Sequence, residues 1–208
     1  MIKPFVAVPC YREAPMLAAT CLSTLINRGY QTSFVIGCPY MGRAVNKLSR
    51  DFLDTDCTHM MRLDCDIVFS EENVDRILSH DVPIIGGAYY KKTLERNVVC
   101  NALPNVKPED VTDTNGVMQV MYVGFGFSLI AREVFEKMRE VFGKEITYKD
   151  DETRRTEWDF WPVGVQQKTG RWLSEDWWFC QRATELGYKI YLDTQCTVGH
   201  IGSVIFPL

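Results

Sequence analysis

The sequence predicts an α/β protein, a single domain built on a mostly parallel sheet with helices on both faces. Three observations carry that expectation. Short apolar runs alternate with stretches of helical periodicity through the first half of the chain, as in a parallel sheet whose crossovers are helices. The apolar runs end in turn, polar or acidic residues, and ligands of such sheets bind outside the carboxyl ends of the strands. The 208 residues, 46% hydrophobic and 24% charged, suffice for one domain with a sizeable core.

In order, residues 4–9 are a short apolar strand entering a loop at Cys10-Tyr11-Arg12-Glu13. Over 15–27, Leu17, Ala18, Cys21, Leu22, Leu25 and Ile26 recur at helical spacing, and Gly29 stops the helix. A strand at 32–37 precedes a helix at 43–53, with Val45, Leu48 and Phe52 on one face. A third strand at 58–63 delivers Asp64 and Asp66 at its carboxyl end. Ser70 caps a helix through Leu78, and a strand at 82–88 ends on Gly86-Gly87. The second half is less regular. Residues 104–116 read as a loop and 117–123 as a strand, followed by Gly124-Phe125-Gly126-Phe127. Residues 131–142 are an amphipathic helix closed by Gly143. Residues 144–171 are charged, aromatic and without periodicity, and read as a long functional or mobile loop. A helix at 174–186, with Ser174 as cap and Gly187 as stop, and a strand at 189–193 complete the chain.

Composition narrows the function. The formal charge of −4, from 23 basic and 27 acidic residues, lacks the basic stripe of a typical nucleic-acid binder, although a local patch fits within such a balance. The apolar stretch at the start is too short for a secretory signal. No run approaches a membrane span. None of the eight cysteines forms a C-x-x-C pair, which argues against a zinc ribbon or a thioredoxin motif. Buried free thiols in a reducing, cytoplasmic compartment are expected.

Several groups carry chemistry. Asp64-Cys65-Asp66 places two carboxylates one residue apart at a strand end, where both reach one hard cation; alternatively it is a polar turn. In Ser174-Glu175-Asp176-Trp177-Trp178 the acids suit a helix N-terminus, or one of them acts as general base beside aromatic surface. His200, between Gly199 and Gly202, is either a structural imidazole or a ligand completing the site begun by Asp66. All five tryptophans, 158, 161, 172, 177 and 178, lie in the last quarter of the chain, and two or three are expected to face an acceptor by stacking. Arg12, Arg43, Lys91 and Lys92 stand where they meet either phosphate oxygens or solvent. Asn46 shares a helix face with Arg43.

Taken together, Pro9-Cys10-Tyr11-Arg12-Glu13, Asp64-Cys65-Asp66, Ser174-Glu175-Asp176 and His200, in that order from about Phe5 to His200, resemble the inverting GT-A glycosyltransferases related to glycosyltransferase family two. The compact length is similar to that of minimal soluble bacterial, phage and viral members. The resemblance implies a GT-A fold, a nucleotide-sugar donor (a UDP-sugar favoured) and a divalent metal, Mn²⁺ or Mg²⁺. It implies that Tyr11 lies against the nucleobase in a loop shaped by Pro9, that Asp64 meets ribose or metal, and that Asp66 and His200 bind the metal. Gly124 and Gly126 would line the donor-sugar pocket. Asp176 would be the catalytic base and Glu175 would orient the acceptor. Residues 1–103 would form the nucleotide-binding half and 104–208 the acceptor and catalytic half.

This chain departs from the pattern twice. Arg12 stands where the family usually has Asn, and Gly37-Cys38-Pro39 stands where it has an acid that reads base and ribose. Arg43 and Asn46 are expected to supply the missing donor contacts. A nucleotidyltransferase would want a glycine-rich loop after the first strand, and Cys10-Tyr11-Arg12-Glu13-Ala14-Pro15 has none. A non-catalytic carbohydrate-binding module, using the tryptophan-rich tail, is the rival from another class. The acceptor, whether glycan, protein or a modified DNA base, is open at this stage.

Overall fold

A computed structural model describes residues 2–93, 95 and 97–202. Its strands are β1 Pro4–Cys10, β2 Gln31–Ile36, β3 His59–Leu63, β4 Ile67–Val68, β5 Ile84–Ala88, β6 Cys100–Ala102, β7 Val117–Val123, β8 Phe127–Ala131, β9 Thr147–Lys149, β10 Thr156–Trp158, β11 Gly164–Gln166, β12 Arg171–Leu173, β13 Ile190–Thr197 and β14 Gly199–His200. Its α-helices are α1 Met16–Asn27, α2 Met41–Leu53, α3 Glu71–Leu78, α4 Arg132–Ile146 and α5 Glu175–Glu185.

Eight strands form one sheet in the order β2-β1-β3-β8-β5-β13-β7-β6. Parallel pairing joins β2 to β1, β1 to β3 and β5 to β13. Only β8 and β7 run against the rest, so the sheet is mostly parallel, as expected. All seven residues of β1 are buried, which is what a strand covered on both faces requires. Their alternation divides the core. Phe5 and Ala7 pack with α2, α4 and α5 through Leu48, Phe52, Phe135 and Phe179. Val6 and Val8 pack on the other face with Leu22, Leu25, Val74 and Ile77 of α1 and α3.

The regular first half follows the sequence. Ser70 accepts from the Asn73 amide, and the Asn73 side chain returns a bond to the Ser70 amide, a capping box that fixes the start of α3. The second half corrects several expectations. Residues 127–131 are the strand β8, inserted antiparallel between β3 and β5, and the following helix starts at Arg132. That helix runs through Gly143 to Ile146, because Ile146 is buried in the core. Residues 144–171 are not one loop: β9 pairs with β10 and β11 with β12 in two small hairpins. Ser174 occupies the N-cap position of α5 but makes no capping bond. All eight cysteines are free. Among the described residues, no helix is long and apolar enough to cross a membrane.

Candidate active site

β3 ends on Asp64-Cys65-Asp66 beside the carboxyl end of β1. The Asp64 amide donates to the Gly126 carbonyl at 2.9 Å, which ties the acidic turn to the 124–126 turn. Antiparallel pairing of β14 with β4 sets His200 opposite Ile67, next to Asp66. His200 Nδ1 donates to the Tyr90 carbonyl at 2.9 Å, leaving Nε2 3.5 Å from Asp66 Oδ1. Such a bond fixes the tautomer of a ligating imidazole. The Lys92 ammonium also bonds Asp66. Burial alone would raise the Asp66 carboxyl, but His200 and Lys92 outweigh it and hold it below its usual value. Burial pushes Asp64 the other way, above its ordinary range, with Arg62 opposing.

Arg62 was not anticipated. In β3 it alternates with Met61 and Leu63 and shares its face with Met60, so its guanidinium enters the core and is 1% exposed. Three carboxylates surround it. Nη1 lies 2.5 Å from Asp176 Oδ1, and Nη2 lies 3.6 Å from Glu175 and 3.7 Å from Asp64. The other Asp176 oxygen accepts the Phe125 amide at 3.2 Å. The planar cation sits 4.9 Å from the Trp161 ring centre and 5.9 Å from that of Phe125, a range in which ring quadrupoles attract it. Burial, and then Asp176, push the Glu175 carboxyl up, with Arg62 opposing. The sequence signal was an arginine at an inward position of a buried strand, where a charge persists only if paired.

The 124–126 turn runs between these groups. Gly126 donates to Tyr89 Oη at 2.9 Å. A Cβ at Gly126 would stand 2.8 Å from that oxygen and 3.1 Å from Asp64 Oδ2; one at Gly124 would meet Val99 at 2.6 Å. Close approach is therefore what glycine provides here. Gly126→Ala should lower stability by about 1–3 kcal/mol through overpacking, measurable as a shifted urea midpoint.

The remaining expected site residues fall in different surroundings. Pro9 is buried within β1. Tyr11 is 51% exposed beyond it, with the Arg12 guanidinium 5.2 Å from its ring centre. Arg43 and Asn46 do share a face of α2, but both are engaged by the 144–171 segment. Arg43 bonds Asp150 at 2.7 and 3.0 Å and also pairs with Glu152. Asn46 donates to Asp159 at 2.8 Å and accepts the Trp161 amide at 3.2 Å. They line a cleft of 690 Å³ that also reaches Tyr40, Tyr148, Val163 and Glu175. Of the tryptophans, Trp161 is buried, Trp177 stacks on Tyr122, Trp158 lies under Arg139 and Trp178 donates to the Gly164 carbonyl. Only Trp172 is largely exposed, at 62%, opposite Val165 on the β11–β12 hairpin.

Among the described residues, no three Asp, Glu, Cys or His side chains converge tightly enough to enclose a metal ion by themselves. What the site does offer is Asp66 beside an oriented imidazole and, two residues before Asp66, the Asp64 carboxylate, whose buried Oδ1 faces Arg62 at 3.7 Å. Carboxylate oxygens with one imidazole suit a cation of the Mn²⁺ or Mg²⁺ kind, with further ligands left to a bound substrate and water.

No protein-family model matches the sequence, and no curated protein matches it. Solved structures share its fold. The A197 protein from STIV aligns with a TM-score of 0.61 at 16% identity, covering 98% of this chain and 87% of its own. GalNAc-T7, solved with UDP, GalNAc and Mn²⁺, aligns with a TM-score of 0.60 at 11% identity and covers 98% of this chain, which spans 44% of the GalNAc-T7 chain. A Drosophila β1,4-galactosyltransferase 7 variant, in complex with manganese, UDP-Gal and xylobiose, aligns with a TM-score of 0.50 at 13% identity over 97% of this chain and 72% of its own. The architecture is that of the GT-A glycosyltransferases, the fold that the sequence resemblance implies.

Proposed function

We propose that this chain is a metal-dependent glycosyltransferase that moves a sugar from a nucleotide-sugar, a UDP-sugar foremost, to an acceptor hydroxyl with inversion at the anomeric carbon. One observation carries the reading: the Asp64–Asp66–His200 group and the Glu175–Asp176 pair lie at one end of the sheet, tied together by Arg62. In this reading the first group would bind the diphosphate through its cation and the second would handle the proton, side by side as transfer from a nucleoside diphosphate requires. The GT-A fold and the UDP and manganese bound by two of its structural neighbours support the donor class.

Asp66 and His200, with Asp64, would hold the cation. When bound, it neutralises the diphosphate and stabilises the charge developing on the leaving group. Lys92, already at Asp66, is placed to meet the same phosphates. Tyr11 offers an exposed ring to the nucleobase, and the 1–103 half supplies the donor side. Asp176 takes the proton of the acceptor hydroxyl, whose oxygen attacks the anomeric carbon as the bond to the diphosphate breaks on the opposite face. Glu175, on the cleft wall, orients the acceptor. Arg43 and Asn46 shape that cleft while anchored to Asp150 and Asp159. Eight free thiols accord with a reducing, cytoplasmic location.

The test is release of nucleoside diphosphate from a panel of nucleotide-sugars, with Mn²⁺, with Mg²⁺ and with chelator. Slow release from one donor that stops on chelation is the expected outcome and names the sugar. No release from any donor, together with nucleotide binding that ignores metal, would sink the reading.

The exposed Trp172 face flanks α5, three residues before Glu175. A sugar ring stacked there loses one apolar contact in Trp172→Ala. The KM for a glycan acceptor should rise roughly 5–10-fold, about the 1 kcal/mol typical of an aromatic contact, while donor KM stays constant.

A further inference from the structure

We infer that Arg62 is a positioning residue of this reaction: its buried guanidinium clamps the Asp176 carboxylate to the strand end that carries Asp64 and Asp66, so that the acid–base and cation-binding groups are held in one rigid frame. The inference rests on the glycosyltransferase reading above and adds a residue to it.

Geometry carries the argument. Asp176 has no rotational freedom left, because one oxygen meets Arg62 at 2.5 Å and the other accepts the Phe125 amide at 3.2 Å. The same guanidinium faces Glu175 and Asp64 through its second nitrogen. Arg62 is itself held between Trp161 and Phe125. Its Nε is buried without a hydrogen-bond partner. Its two terminal nitrogens reach three acids, of which Glu175 lines the cleft and Asp64 opens the acidic turn. A planar fork does this, and an ammonium on a flexible stem does not. The charged groups facing Glu175 are Asp176 on its own helix, Arg62 on β3 and Asp64 in the turn just after it. Arg62 alone among them counters the upward push on that carboxyl.

The experiment compares the whole protein with Arg62→Lys and Arg62→Met, each checked for folding by circular dichroism. Donor KM and kcat are measured with the donor found above. Arg62→Lys keeps the charge and loses the fork; it is expected to fold, to hold donor KM within about threefold and to lose roughly 10–100-fold in kcat, the scale of a sub-ångström to 1 Å misplacement. Arg62→Met loses both, and is expected to lose at least as much kcat while donor KM holds within about threefold. Wild-type kcat in Arg62→Lys overturns the proposal. So does a loss that falls on donor KM alone, wild-type kcat in a folded Arg62→Met, or the failure of both variants to fold. A wild-type protein that turns over no donor is a separate result: the glycosyltransferase reading itself then falls, and this role with it.

Discussion

Asp66→Ala should stop sugar transfer and leave the chain folded. Among the described residues the half-buried carboxylate pairs with Lys92 and His200 at the site edge, both of them partly exposed, so its removal orphans no fully buried charge among them. It does remove the group best placed to share a cation with an oriented imidazole. Since a metal contributes several kcal/mol to stabilising a leaving diphosphate, the loss should reach at least ~10³-fold in kcat/KM. Nucleoside diphosphate release, a Mn²⁺ titration and a melting curve measured together check it. Activity within tenfold of wild type would remove Asp66 from the cation site. Asp176 is a less clean position for the same test, because its loss unpairs one side of buried Arg62. Asp176→Asn, which keeps the shape, is the better variant there.

Trp161→Ala should be the costliest single change to stability. The indole is fully buried, stacks on Phe179 with ring centres 4.0 Å apart and meets Phe125 edge-on at 5.1 Å. Its N–H donates to Ser49 Oγ at 2.9 Å, and its backbone amide donates to Asn46. Truncating a buried tryptophan to alanine costs about 3–5 kcal/mol, a large part of a typical domain's 5–15 kcal/mol. A urea titration reads it directly. Trp161→Phe restores most of the apolar contact but not the Ser49 bond, and should recover more than half of the loss. A midpoint for the alanine variant close to wild type would show that the aromatic cluster repacks.

The first half of the fold and the order of the acidic motifs were legible because they depend on local pattern. Helical periodicity marks α1 and α2, and the acids after β3 follow an apolar run directly. The remainder depends on pairings between distant parts of the chain. Phe127 to Ala131 is apolar enough for a strand, but nothing local says that it slides between β3 and β5. Arg43 and Asn46 are expected as donor contacts because Gly37-Cys38-Pro39 lacks the acid that the resemblance calls for, and the sequence shows nothing of what else engages them. Their partners Asp150 and Asp159 lie more than a hundred residues away, in a segment whose hairpins are too short to show a period. Arg62 was passed over because arginine is usually a surface residue. Its inward phase in β3 was in the sequence, but the three acids that make burial tolerable come together only in the folded sheet.

The place of β13 has a consequence for how the chain is made. It is the last strand of the large sheet in sequence, yet it lies inside that sheet, hydrogen-bonded to β5 on one side and β7 on the other. The β6–β7 pair makes no other strand contact in that sheet. A growing chain that has emerged through β7 therefore carries two sheet fragments, bridged at Tyr90 and Val98 beyond the end of β5, with a gap one strand wide between β5 and β7. At synthesis rates of about 5–20 residues per second, β13 follows β7 after roughly 3–13 s. For that interval β5 and β7 each expose an unpaired edge, the feature that invites wrong partners. The arrival of β13 is thus the event that turns two half-built sheets into one and retires both edges at once.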